Sequence, residues 1–319
     1  MKFYKRLEPK TCEQLLSIFR EKNYEIKGEK LEFTGVGNKD VYNITAPFED
    51  DNDMVIAGRV EERDSEYSQV VFFVFRNGKW QPRENTKTFS LQDPFVTKIG
   101  SELVFGGVEI FPHPEIENAL WYRTVFYRGK NINSLEKFAV GPDGMKDIRL
   151  IELSDGRIGV FTRPQGEIGG RGKIGFTIIN SLDELNSEVI MKAELIEKQF
   201  IDEEWGGANE IHLLKNGLLG VLGHIARFDE EGNRHYYPMV FAFNPNTKEA
   251  TEMKIFATRS NFPEGPAKRP DLVDVVFSGG IRRLENGKAE FYAGIADAEA
   301  HKILIPDPFL EYEELNISI

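Results

Sequence analysis

Twenty-nine glycines, twenty-four phenylalanines and a turn-then-strand pattern that returns five times predict an all-β chain: a five-bladed β-propeller with a short N-terminal helix. Glycines and aromatics spread evenly through short apolar runs suit repeated β-hairpins better than a helical bundle. At 319 residues the chain has room for one large all-β domain. The pattern assigns 1–319 to a single unit, with the propeller over about 30–305.

The helix comes first. Thr11-Cys12-Glu13-Gln14 has the form of a capping box, in which the Thr11 hydroxyl accepts from a first-turn N–H and Gln14 reaches back to the Thr11 N–H. Leu15, Leu16, Ile18 and Phe19 follow at helical spacing, which predicts a helix over 11–22. A second short helical stretch is expected at 181–186. The repeats then start at Asp53, Gly100, Asp155, Asn216 and Asn286, at intervals of 47, 55, 61 and 70 residues. Each turn leads into an apolar strand that ends on a polar residue. Such intervals hold four strands and their loops, and compact propeller blades take roughly 40 to 50 residues. Asp-Gly and Asn-Gly supply the positive φ that tight hairpins need. Gly58, Gly106, Gly107, Gly159, Gly220 and Gly223 suit strands crowded near a shared axis. The strand ends Arg59, Glu61, Glu109, Arg163, His224 and Asp297 are expected to converge there.

Charge and cysteine content narrow the partners. Forty Lys and Arg against 52 Asp and Glu give a net charge of −12, which argues against a nucleic-acid backbone as partner. No run approaches the roughly 18 apolar residues of a membrane span, and the N-terminus lacks the apolar core of a signal peptide. Cys12 is the only cysteine, so an intrachain disulfide, a four-cysteine zinc site and a CxxC pair are excluded. The five histidines show no metal-ligand spacing, P-loop and GxSxG motifs are missing, and the glycine-rich run from Gly166 opens no clear helix, so no dinucleotide site is expected there. The expectation is a cytoplasmic protein with no nucleic acid, membrane or metal partner; a homo-oligomer stays open.

Several local patterns carry chemistry. Asp93 precedes Pro94, which stiffens the backbone around a carboxylate. Lys146, Arg149 and Arg163 bracket one hairpin and could hold a phosphate or carboxylate. Trp205, beside Gly206 and Gly207, reads as an exposed ring for stacking on a sugar, or as a core tryptophan. His224, at the end of an apolar run, is the histidine best placed to reach a channel. The loop from Ser260 to Asp271 is either a lid or a solvated connector.

Taken in order, Asn43, Arg59-x-Glu61, Asp93-Pro94, Lys146-Asp147, Arg163-Pro164, Gly223-His224, Asp274-Val-Val-Phe and Ala296-Asp297 resemble the motifs of glycoside hydrolase family 130, the five-bladed β-mannoside phosphorylases. Family 130 usually has Arg after the Asp-Pro; Phe95 here moves the resemblance towards glycosyltransferase family 108, the β-1,2-mannosyltransferase/phosphorylases. The resemblance implies inverting, reversible transfer of mannose between β-mannooligosaccharides and phosphate, giving α-mannose 1-phosphate. No cofactor is implied; inorganic phosphate is the co-substrate. It implies Asp93 as general acid, acting through a sugar hydroxyl. Arg163 and His224 hold phosphate, with Lys146 or Arg149 adding charge. Asn43, Arg59, Glu61, Asp147 and Asp297 grip sugar hydroxyls, and the residue-level reading adds Trp205. Two alternatives stay open: an inverting hydrolase with Glu109 as base, and a non-catalytic sugar-binding propeller.

Overall fold

A computed structural model describes residues 2–22 and 26–316. Strand makes up 46% of the chain and helix 11%, so the all-β class holds. Among the described residues, hydrogen bonding arranges the strands in four sheets of nine, five, four and four strands. The nine-stranded sheet contains one parallel join, His235 to Asp274 and Tyr236 to Val275. Divided at that join, the strands fall into five antiparallel groups.

The groups follow the chain. The first holds Asp40–Tyr42, Phe48–Asp50, Asp53–Glu61, Ser68–Arg76 and Lys79–Pro82. The second is Gln92–Ile99, Glu102–Pro112, Leu120–Gly129 and Glu136–Val140. The third is Arg149–Glu152, Ile158–Thr162, Gly175–Ile179 and Glu194–Leu195. Trp205–Leu213, Leu219–Phe228 and Arg234–Asn244 form the fourth, with Glu249–Ala250 and Lys254–Ile255 on its outer strand. Asp274–Arg283, Lys288–Ile295 and Glu299–Pro306 form the fifth, completed by Glu29–Lys30 from the other end of the chain.

In sheet order each sequence repeat marks the second strand of its group, Phe48–Asp50 lying off the path of the first. The turns behave as their chemistry requires: Gly156, Gly217 and Gly287 of the Asp-Gly and Asn-Gly pairs have φ of 82°, 83° and 76°. Because strand side chains alternate, each sheet has two faces to bury, and the buried clusters lie between neighbouring groups. Phe72 and Phe105 join the first to the second; Phe126 and Val160 the second to the third. Phe161 and Phe243 join the third to the fourth, and Val240 and Phe291 the fourth to the fifth. Ile44 and Tyr292 join the first to the fifth, so the packing closes on itself. Each such side chain contributes roughly 1.5–3 kcal/mol by leaving water.

The N-terminal helix spans Cys12–Glu21 with the expected capping box: Thr11 accepts from the Gln14 N–H, and the Gln14 side chain accepts from the Thr11 N–H. Its face of Cys12, Leu15, Leu16 and Phe19 packs into the cluster between the third and fourth groups. Around 181–186 the chain makes a 3₁₀ turn, Leu182–Glu184. A helix over Ser187–Met191 follows, capped by the Asn186 side chain.

Candidate active site

A cavity of about 190 Å³ gathers residues from all five groups and the loops that lead into them. Asn43, Arg59, Asp93, Lys146, Asp147, Arg163, His224 and Asp297 line it. Wider depressions elsewhere, of about 580 Å³, are lined mainly by hairpin-turn residues such as Asp51 and Asn52, or Asp155 and Asn246. The smaller cavity is the one that concentrates buried charge. Five cationic side chains (Arg59, Lys146, Arg163, Arg234, Arg269) meet four carboxylates (Glu66, Asp93, Asp147, Asp297) on a chain whose net charge is −12.

The backbone aims these groups by departing from regular strand. Asn43, Asp93, Asp147 and Asp297 have φ of 44°, 47°, 58° and 49°. Asn and Asp enter this left-handed region more readily than other side chains, and held there they cost of order 1–3 kcal/mol each. Register shifts interrupt the first strands of the second and fourth groups, between Gln92 and Phe95 and between Ala208 and Glu210. Such bulges re-aim a side chain, here Asp93 and Asn209.

Asp93 is held by its neighbours. Its Oδ1 accepts from Asn43 Nδ2 at 2.8 Å and from Arg59 Nη1 at 3.1 Å. Arg59 is itself fixed from behind, donating through Nε and Nη2 to Glu61 Oε2 at 3.0 and 2.7 Å. Burial alone would raise the Asp93 carboxyl, but Arg59, Lys146 and the Asn43 hydrogen bond outweigh it and hold it below the usual carboxylate range. Asp297 moves the other way: burial raises it, and the Asp93 charge adds to that against Arg59. The cavity therefore contains two carboxyl groups with opposed proton affinities, the arrangement that divides acid from base.

Asp147 and Arg163 form a second buried pair, Oδ2 to Nη1 at 3.2 Å. The Arg163 Nε donates to the Gly206 carbonyl at 3.0 Å. Burial would raise Asp147, but Arg163, His224, Lys146 and Arg149 hold it down. Burial would lower Lys146, but Asp147 and Asp93 raise it. His224 is the surprise of the site. Burial, followed by Arg163, Lys146 and Arg149 against the opposing pull of Asp147, pushes it down to about 3. At neutral pH it is an uncharged imidazole, so the expected second cation is instead a neutral hydrogen-bonding group.

Four sequence expectations need correction. Trp205 is 5% exposed and outside the cavity. Its ring packs 4.8 Å from Phe228, and Nε1 donates to Tyr236 Oη at 3.1 Å, so it is a core tryptophan and no stacking platform. Arg149 also misses the cavity lining. Its guanidinium lies over the Phe95 ring at 4.3 Å, and Nε donates to the Asn209 carbonyl at 2.7 Å. Glu61 lies behind Arg59, accepting from Tyr42 Oη at 2.8 Å and from Lys268 Nζ. Glu109, the base of the hydrolase alternative, lies outside the cavity and pairs with Arg123 and Lys137.

The 260–271 loop folds onto the site. Lys268 reaches Glu61 and the Ser65 carbonyl, Arg269 and Leu272 line the cavity, and Asp271 pairs with Arg234. Glu66, Gln92, Asn209, Arg234, Tyr236 and Arg269 escaped the sequence reading. None belongs to a turn-strand repeat; the available signals were the polar positions 234 and 236, ahead of an apolar run, and, for Arg269, the 260–271 loop itself.

Gly207 touches three site residues at once: an added Cβ would come within 2.9 Å of Asp147 Oδ2 and 3.0 Å of both Arg163 Cδ and His224 Cε1. Gly207→Ala is expected to displace these side chains and lower kcat/KM at least about tenfold. Its thermal unfolding should show the fold intact. Wild-type kinetics in this variant would mean that the three groups are not held in contact.

A family profile, "Protein of unknown function (DUF1861)", matches residues 18–311. Among solved structures, MPT-4, a mannose phosphorylase from Leishmania mexicana in complex with phosphate ion, is 36% identical. The match covers 96% of each chain at a TM-score of 0.86. MPT-1, a GDP-Man-dependent mannosyltransferase from the same organism, is 35% identical over 97% of each chain, also at 0.86. The β-1,2-mannobiose phosphorylase from Listeria innocua shares the fold at 13% identity, with 90% of this chain and 92% of that one covered and a TM-score of 0.60. No curated protein matches the chain. A profile match over nearly its whole length, and over a third of its residues shared with the Leishmania enzymes, mean that this chain belongs to the DUF1861 family.

Proposed function

We propose that the chain is a single-domain, five-bladed β-propeller enzyme that transfers a mannosyl unit, with inversion, between β-1,2-linked mannooligosaccharides and inorganic phosphate. The observation that carries this reading is one cavity holding both a hydrogen-bonded carboxyl, Asp93, and a cationic cluster of Lys146 and Arg163 with His224 beside it. The five antiparallel groups are the blades, and pairing of Glu29–Lys30 with Glu299–Pro306 ties the two ends of the ring. Similarity to a phosphate-bound mannose phosphorylase at 36% identity supports the reaction class.

The chemistry needs no covalent enzyme intermediate. A phosphate oxygen attacks the anomeric carbon on the face opposite the glycosidic oxygen. The bond to that oxygen breaks, and the oxygen takes a proton that Asp93 supplies through a sugar hydroxyl. The product is α-mannose 1-phosphate. Arg163 and Lys146 offset the phosphate charge, while Asn43, Arg59, Asp147 and Asp297 orient the sugar. Held by Arg59, Lys146 and Asn43, Asp93 is ionised, which suits the reverse, synthetic direction, where it accepts the proton of the acceptor hydroxyl. No metal or organic cofactor takes part in this scheme.

The deciding experiment is the phosphate dependence of β-1,2-mannobiose breakdown with anomer-resolved products. Phosphate-dependent α-mannose 1-phosphate is the expected result. Free mannose released equally without phosphate would replace this reading with hydrolysis. A second reading, a GDP-mannose donor, is favoured only by the 35% identity to the GDP-Man-dependent enzyme. Transfer from GDP-mannose, with none from α-mannose 1-phosphate, would establish it.

A further inference from the structure

The phosphate reading leaves open how an uncharged histidine serves an anion, and the groups around His224 bear on this. Its ring is stacked on Tyr236 at 5.2 Å and 19°, with Phe277 tilted against it at 6.0 Å. Nδ1 lies 2.8 Å from Asn209 Oδ1. Asn209 is 3% exposed and does not line the cavity, so Nε2 is the ring nitrogen left for a ligand. The bulge between Ala208 and Glu210 brings Asn209 to this point, and Arg149 Nε holds its carbonyl at 2.7 Å. That is the role the structure gives to Arg149. The charged groups that act on the ring are Asp147, Arg163, Lys146 and Arg149.

We propose that Asn209 is a positioning residue that sets the tautomer of His224, and so decides whether Nε2 meets a bound phosphate as a donor. An amide can serve either form of a neutral imidazole. Its oxygen accepts from Nδ1–H, leaving Nε2 bare; turned over, its NH₂ donates to a bare Nδ1, leaving the proton on Nε2. Among the described residues the buried Asn209 Nδ2 has no hydrogen-bond partner, so no second bond of that nitrogen holds the amide in one orientation. A phosphate oxygen in the cavity selects the Nε2–H form, with no change in net charge. A carboxylate at position 209 could only accept, and would keep the proton on Nδ1.

The inference rests on the phosphate reading, and its test separates the two. In the full-length protein with ¹⁵N-labelled histidine, His224 is assigned by its loss in His224→Gln and titrated with inorganic phosphate at pH 7. The expected result is a neutral ring in which phosphate moves the proton to Nε2. Asn209→Asp should hold it on Nδ1 or charge the ring, and raise the phosphate KM about tenfold, with kcat at saturating phosphate within threefold. The variant should also add to the phosphate KM a pH dependence between about pH 6 and 8 beyond the one that phosphate's own ionisation gives the wild type. Asn209→Leu, which keeps the volume but offers no partner, should raise the phosphate KM without adding that pH dependence. An imidazolium in the wild type at pH 7 would overturn the proposal. So would phosphate-dependent turnover with an Asn209→Asp variant whose KM and pH profile match the wild type. If phosphate neither moves the His224 signals nor supports turnover, the phosphate reading itself fails, and the inference with it.

Discussion

Asp93→Asn is expected to lower turnover by about 10²- to 10⁴-fold while leaving phosphate and oligosaccharide binding within a few-fold of wild type. The amide keeps the size of the side chain and an oxygen for Asn43 or Arg59, but it cannot carry the proton. Calorimetric binding beside steady-state kinetics separates the two effects, and a kcat within threefold of wild type would remove Asp93 from the chemistry. The pH dependence has a definite sign. Arg59, Lys146 and Asn43 hold Asp93 below the usual carboxylate range, so raising pH above that range depletes the protonated form. Phosphorolysis, which needs this proton, should fall as pH rises through neutrality. Synthesis, which needs the carboxylate, should not fall on this account. Asp297→Asn is the informative comparison, because Asp297 is shifted upwards by burial and by Asp93. Removing this carboxyl should alter the phosphorolytic pH profile more than the synthetic one.

Arg163→Met should have the other large effect, in two separable parts. The phosphate KM should rise by about 10²-fold or more, as expected for losing a charged, planar donor to a phosphate in a water-poor site. Asp147 would also lose its 3.2 Å partner while remaining buried. Breaking a buried pair from one side costs about 3–5 kcal/mol, so denaturant unfolding should reveal a marked loss of stability. Arg163→Lys keeps the charge but not the Nε bond to the Gly206 carbonyl, and should recover more stability than phosphate affinity. A phosphate KM unchanged in both variants would move the anion site away from Arg163.

The repeats were legible because hairpin chemistry is local. Asp-Gly and Asn-Gly need only their own backbone to turn, and an apolar run after each needs only alternation to become a strand. The same locality made the Thr11 capping box readable. Part of the candidate site was readable too: Arg59, Asp93, Lys146, Arg163, His224 and Asp297 stand out as polar residues beside apolar runs, while Asn43 and Asp147 entered only through the family resemblance.

Which polar side chain reaches the cavity is a different question. Arg59 and Glu61 are two residues apart on one strand face, so both are aimed the same way. Only packing makes Arg59 the lining residue and Glu61 its support. Trp205 sits beside two glycines, a neighbourhood that looks exposed. The pairing of its strand with Leu219–Phe228 puts Phe228 and Tyr236 over the ring instead. Arg149 depends on a bulge 60 residues away and on Phe95 from another group.

The charge of His224 is the clearest case. The sequence by itself determined an all-β chain of hairpin repeats, which polar residues interrupt the apolar runs, and the residue types available for acid and anion chemistry. Those follow from turn conformation and side-chain alternation, which act over a few residues. Only the tertiary structure decided protonation and aim. Desolvation and the summed fields of Asp147, Arg163, Lys146 and Arg149 exist only once separate groups pack around one cavity.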